Sequence, residues 1–173
     1  MTAKRKPWNL AYDTNTKAGK VEPVTFDIPA DFCLVIDTRE QSPLFTKPPK
    51  GLLLCRDTLH VGDYSVRGFE SSISIERKSL PDLYGSIGKG RDRFKRELET
   101  LSTYEYKALV VEGHEPDILR WQDFSQMHPN SVRHTIVSIN VRLGIQVHFA
   151  TREHLERWVL DRLIKFYLVK RGK

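Results

Sequence analysis

Gly62-Asp63, followed thirteen residues after the acid by Glu76-Arg77-Lys78-Ser79-Leu80-Pro81-Asp82, constrains this chain more than any other feature. Tyr64-Ser65-Val66 is extended in character, and Ser72-Ile73-Ser74-Ile75-Glu76 alternates polar and apolar. Arg67-Gly68-Phe69-Glu70-Ser71 between them has turn composition, so the segment reads as a β-hairpin. Strand side chains alternate faces. Glu76 and Lys78 therefore point one way with Ser72 and Ser74, and Arg77 points the other way with Ile73 and Ile75. Asp63, at the start of the partner strand, is placed to meet the acid and the lysine.

That set suits metal-assisted phosphodiester hydrolysis. Cleavage builds negative charge around phosphorus. Magnesium prefers six oxygens, keeps several waters and needs only one or two protein carboxylates. Such an ion polarises the phosphate and acidifies a water. Asp63 and Glu76 are the candidate hard-oxygen ligands. Lys78 orients or deprotonates the attacking water, or stabilises charge as it develops; the residues alone do not separate these roles. Upstream, Leu34-Val35-Ile36-Asp37-Thr38-Arg39-Glu40 reads as a short buried strand ending in charge. Asp37 and Glu40 would stand where it leaves the sheet, so three or four acids and two arginines are expected to face one cleft. Plain surface ion pairing is the competing reading for the strand-end acids.

Val35-Ile36-Asp37-Thr38-Arg39-Glu40, Val61-Gly62-Asp63-Tyr64 and Glu76-Arg77-Lys78-Ser79-Leu80-Pro81-Asp82 together resemble the nuclease domain of the XPF-type structure-specific DNA endonucleases. That family carries a GD…ERKxxxD signature on a restriction-endonuclease-like fold. The likeness continues through Gly90-Arg91, Leu109-Val110-Val111-Glu112, Ser138-Ile139-Asn140 and Gly144-Ile145-Gln146-Val147. The resemblance implies that Asp37, Asp63 and Glu76 are acids of a magnesium or manganese site, with the Arg77 carbonyl a further ligand. It implies that Lys78 is the catalytic lysine, and that Arg39, Glu40 and Arg77 shape the site or hold phosphate. Asp82 matches the last acid of the signature, yet Ser79-Leu80-Pro81-Asp82 also has the form of a capping box, with Ser79 as N-cap. The expected activity is metal-dependent DNA endonuclease, acting on branched, flap or junction DNA in repair or recombination. The alternatives are a non-catalytic DNA-binding subunit of a nuclease complex and a restriction-type enzyme on the same fold.

The chain departs from the family in two respects. Glu97 falls where many members carry a glutamine. The tandem helix-hairpin-helix module and the helicase domain found in many members are not expected here, so substrate selection by them is not assumed.

Net charge is +6 over 173 residues, which favours polyanionic partners. In Gly88-Lys89-Gly90-Arg91-Asp92-Arg93, glycines precede a helix and leave N–H groups free for phosphate. Lys89, Arg91, Arg93 and Lys95, with Arg39, are the candidate DNA contacts, against a solvated basic helix face. Cys33 and Cys55 lack metal spacing and fit a reducing compartment. His60, His114 and His148 share no metal spacing and read as structural or surface groups. No apolar run approaches the roughly 20 residues of a membrane span, and the N-terminus lacks a secretory h-region. A cytoplasmic or nucleoid place is expected in a microbe, a nuclear one in a eukaryote.

Residues 1–30, with Lys4, Arg5, Lys6, Lys17 and Lys20, read as a basic arm, and residues 31–173 as one nuclease domain. The element order predicts an α/β three-layer sandwich, a central mixed sheet flanked by helices. Helices are expected at 80–86, 91–102, 132–143 and after Thr151, and strands at 106–112 and 145–149. Ile136, Val137, Val141, Trp158, Val159 and Leu163 offer more apolar surface than one face needs. A homodimer, or pairing with a related subunit, is the expectation, as the resemblance also implies.

Overall fold

The structure, a computed structural model, describes residues 25–172. The basic residues of the expected arm, from Lys4 to Lys20, lie outside the described residues. Six strands form one sheet: β1 (Cys33–Asp37), β2 (Leu53–Asp57), β3 (Tyr64–Val66), β4 (Ile73–Ser79), β5 (Tyr106–Glu112) and β6 (Gln146–Ala150). Their order is β2-β1-β3-β4-β5-β6. β3 runs antiparallel to both neighbours, and every other pair is parallel. The helices are α1 (Leu80–Ile87), α2 (Arg91–Ser102), α3 (Pro129–Leu143) and α4 (Arg152–Lys170), with a 3-10 turn at Glu115–Leu119.

Alternation along the strands divides the core into two layers. Ile73, Ile75, Ala108 and Val110 pack with Leu155, Val159 and Leu163 of α4, and Phe26 and Ile28 lie partly buried against the same layer. Leu109 and Val111 face the other way, onto Leu83 of α1, Phe94 and Leu98 of α2, and Val132 and Ile139 of α3. The sheet is thus covered on both faces, the three-layer α/β sandwich that the element order predicts.

Most helix ends follow their sequence signals. The Ser79 hydroxyl accepts the Asp82 N–H and so caps α1. Gly144 closes α3 in the left-handed conformation, φ 62°. α3 starts earlier than its apolar periodicity indicates, because Pro129 stands at the first helical position and the His128 ring accepts the Asn130 N–H. Among the described residues, no helix is long and apolar enough to cross a membrane. Of the six apolar residues motivating the dimer expectation, Ile136, Trp158, Val159 and Leu163 are buried within the chain itself. Only Val137 and Val141 stay exposed, because α4 spends its wide apolar face on the sheet.

Candidate active site

The hairpin builds the site. Gly62 has φ +82°, and a Cβ there would lie 2.0 Å from the Ser74 Oγ. That hydroxyl is buried and donates to the Val61 carbonyl at 2.6 Å. Only glycine lets the chain turn so close to β4, and the next residue, Asp63, enters the sheet beside Glu76. The Asp63 N–H donates to the Ile75 carbonyl at 2.9 Å, and the Arg77 N–H donates to Asp63 Oδ2 at 2.7 Å. On β4, Lys78 Nζ donates to Glu76 Oε1 at 2.9 Å and lies 4.9 Å from the centre of the Phe94 ring.

Asp63, Glu76 and Lys78 line a cleft of about 210 Å³ with Asp37, Arg39, His60, Arg93 and Glu97. Larger hollows lie between α2 and α3, lined by Arg91, Ser138 and Arg142, and hold no comparable convergence of acids. Burial, together with the nearby Glu76 charge, raises the Asp63 carboxyl well above its usual range. Burial also raises Glu76, outweighing the charge and hydrogen bond of Lys78. For Lys78, burial opposes the charge, but Glu76 more than offsets it and the ammonium is held protonated. Two partly buried carboxylates thus have one lysine beside them, bonded to Glu76, and the acids lining the cleft outnumber its cations.

The other expected site residues are placed in three ways. Asp37 is buried, and both its oxygens are engaged. Oδ1 accepts from the Arg39 N–H and Nε at 2.7 and 2.8 Å; Oδ2 accepts from Arg39 Nη2 and the Leu59 N–H at 2.9 and 2.7 Å. Burial works against its ionisation, yet these bonds hold its pKa low. The Leu59 carbonyl accepts a further bond from Arg39 at 2.7 Å. Glu40 and Arg77 lie away from the cleft, on the α4 side of β4. They pair at 3.7 Å, and Arg77 also bonds Glu112, which accepts from Arg152 at 3.2 Å. Arg93 Nε bonds Glu97 at 2.7 Å in the cleft wall, Lys95 lies 3.7 Å from Glu99, and Lys89 and Arg91 are exposed. Ser79 and Asp82 form a reciprocal pair at the start of α1, the hydroxyl donating to Asp82 Oδ2 at 2.6 Å.

Three contributors escape a reading of the motifs: Leu59, which clasps Asp37 and Arg39 through its backbone, Phe94 beneath Lys78, and Arg152, which completes the ion cluster on the far face. His60, read as a surface or structural group, stands on the cleft rim. The fit to a divalent cation rests on the charge imbalance of Asp63 and Glu76. Among the described residues no three His, Cys, Asp or Glu side chains converge tightly enough to hold a metal unaided. Two carboxylates with retained waters are the coordination magnesium favours.

The ERCC4 domain family model matches residues 36–160, and the chain belongs to that family. XPF from Aeropyrum pernix superposes with a TM-score of 0.62 at 23% identity, covering 82% of this chain and 64% of that one. The same protein in complex with DNA gives 0.60 at 21% identity, covering 80% and 66%. Both show the fold. A Methanocaldococcus jannaschii protein described as an ATP-dependent RNA helicase is 33% identical over 92 residues, 53% of this chain and 10% of that protein. The chain therefore spans a tenth of that relative's length and under two thirds of the first XPF chain.

Proposed function

We propose that the protein is a DNA endonuclease that hydrolyses phosphodiester bonds with magnesium or manganese. The observation that carries this reading is the convergence of two partly buried carboxylates, Asp63 and Glu76, on one open cleft, with Lys78 bonded to Glu76 beside them. Those two acids would hold the ion, which would polarise the scissile phosphate and acidify a water. Asp37 keeps Arg39 oriented at the cleft mouth, where the guanidinium meets a phosphate oxygen. Lys78 stands where it can orient the attacking water or stabilise the charge that develops. The Phe94 ring limits where its ammonium can move. The acids repel a phosphate, so Arg39 and the exposed Lys89 and Arg91 offset that repulsion during binding.

Branched, flap or junction DNA in repair or recombination is the proposed substrate, and a homodimer or a related subunit, seated on the Val137 and Val141 face, the proposed assembly. A basic arm is proposed for the expected residues 1–30 only as far as the segment ahead of Phe26, because Phe26 and Ile28 pack on the nuclease domain. Cleavage of a panel of duplex, flap, fork and four-way-junction DNA, with magnesium, with manganese and with chelator, tests the proposal. Metal-dependent incision, strongest on the branched substrates, is expected. DNA binding without incision of any substrate in either metal would instead assign the chain to a non-catalytic DNA-binding subunit.

A further inference from the structure

Outside the cleft, the segment that follows β5 exposes three large apolar side chains within a few residues. Leu119, Trp121 and Phe124 are 55%, 63% and 51% exposed. Each aromatic ring meets one edge-on neighbour: Phe124 meets Tyr84 at 5.5 Å between centroids, and Trp121 meets His128 at 5.3 Å. Such rings are held in place while much of their surface stays in water. Burying them in the core would be worth more to the fold, at roughly 25 cal/mol per Å².

The location of this segment indicates an occupant. β5 pairs in parallel with β4, so its end at Glu112 lies beside Ser79, on the sheet edge that carries the cleft. From there the loop crosses α1. Phe124 rests on Tyr84, and the Met127 methyl lies 3.3 Å from where a Gly88 Cβ would stand. Gly88 opens the turn Gly88-Lys89-Gly90-Arg91, whose two basic side chains are exposed. That turn sets the exposed Lys89 near the aromatic loop; Arg91, at the mouth of the hollow between α2 and α3, follows it in the chain, and Arg93 stands in the cleft wall. Arg120 is exposed beside Trp121, Asp123 is exposed between the two rings, and Lys89 comes from the neighbouring turn; open aromatic faces with basic side chains nearby suit single-stranded nucleic acid, in which every base has a free π-face. A duplex offers those faces only at its ends.

We infer that Trp121 and Phe124 form a stacking platform for the bases of a single-stranded DNA segment whose phosphates lie along Lys89 and Arg91. The inference rests on the DNA-cleaving reading of the cleft and adds a determinant of which DNA is held. It makes a single-stranded arm, rather than the duplex, the part of a branched substrate that this loop grips.

Binding measured by fluorescence anisotropy in chelator tests it without calling on cleavage. The two ligands are a blunt duplex and the same duplex with a single-stranded thymidine tail. Wild type is expected to favour the tailed DNA. Trp121→Ala and Phe124→Ala should each weaken tailed binding about five- to tenfold. Blunt binding should be unchanged, and so should the salt dependence, because no phosphate contact is removed. Trp121→Tyr and Phe124→Tyr should restore the preference, and abasic residues in the tail should abolish it for wild type. Equal losses on both ligands, or unchanged tailed binding in the double alanine variant, would overturn the inference. Unchanged tailed binding with conversion of a dimer to a monomer, by light scattering, would give the patch to a protein partner instead. Failure of wild type to bind either DNA would overturn the nuclease reading as well.

Discussion

β4 carries charge on both faces, and the two faces treat it differently. Toward α4, Arg77 meets Glu40 and Glu112, and Glu112 also takes Arg152. Arg152 in turn donates to the Ser42 and Pro43 carbonyls. Two arginines answer two glutamates, and the cluster ties the loop after β1 to β4, β5 and α4. Toward α2, Lys78 is the only cation in direct contact with Glu76 and none bonds Asp63 among the described residues, since Arg39 pairs with Asp37 and Arg93 with Glu97. Uncompensated buried charge is costly, and it collects where a site uses it. One face of the strand is a clasp, and the other gathers acids around few cations.

The largest separation between the faces should appear in paired variants. Asp63→Asn and Glu76→Gln should nearly abolish cleavage with magnesium while DNA binding survives, since backbone charge contacts dominate affinity. Lys78→Ala should lose cleavage and keep metal affinity. Arg77→Met should instead leave Glu40 unpaired and Glu112 with Arg152 alone, and lower stability by about 3 kcal/mol. Activity assays and chemical denaturation on the same set of proteins check this. Full cleavage by the two acid variants would sink the assignment of the faces.

The next effect concerns pH. The Asp63 and Glu76 carboxyls are raised in the folded protein. Their contribution to stability is therefore present below their unfolded pKa and lost as pH rises through the folded one. Asp37, held low, acts oppositely, and its contribution is lost only as pH falls through its folded value. In chelator, the melting temperature should decline as pH climbs from the ordinary carboxylate range toward neutrality. Asp63→Asn should flatten that decline and melt several degrees higher at neutral pH. Magnesium should stabilise wild type and leave the variant nearly unmoved. A chelated wild type more stable at neutral than at mildly acidic pH would contradict the charge imbalance.

The smallest effect belongs to Asp82. It lies at the start of α1, paired with the Ser79 hydroxyl. Asp82→Ala should cost about 1 kcal/mol of stability and retain much of the cleavage. Loss of cleavage matching that of Glu76→Gln would move Asp82 from the helix cap into the site.

What could be read from the sequence follows from range. The split of Glu76 and Lys78 from Arg77 needs only the two-residue period of a strand, and β4 shows it in its hydrogen bonds. The caps at Ser79 and Gly144 are equally local. Arg77 is different. Its partner Glu112 is supplied by β5, and Arg152 arrives from α4, so no local pattern could reveal that the two arginines and two glutamates form one cluster. Standing at a strand end groups Glu40 with the cleft acids in the sequence. The turn after Asp37 carries it to the other face of the sheet, while Asp37 itself stays on the cleft side and holds Arg39. Leu59 left no trace in the motifs because it acts through its backbone. The apolar residues of α4 looked like surplus for a second chain because a sequence does not show how much of a helix its own sheet will cover.

Gly62 carries a consequence for how such a chain drifts. Every single-nucleotide change to a glycine codon that alters the residue introduces a Cβ or ends the chain. At this position any Cβ meets the Ser74 hydroxyl, and φ of +82° disfavours every replacement even after Ser74 has shrunk. Asp63 and Glu76 are under no such constraint, since an amide of the same shape fits where each carboxylate stands. A copy of this domain can therefore shed its chemistry in one step and keep its shape. The backbone thus constrains the glycine, whereas only the chemistry proposed for the cleft constrains the acids.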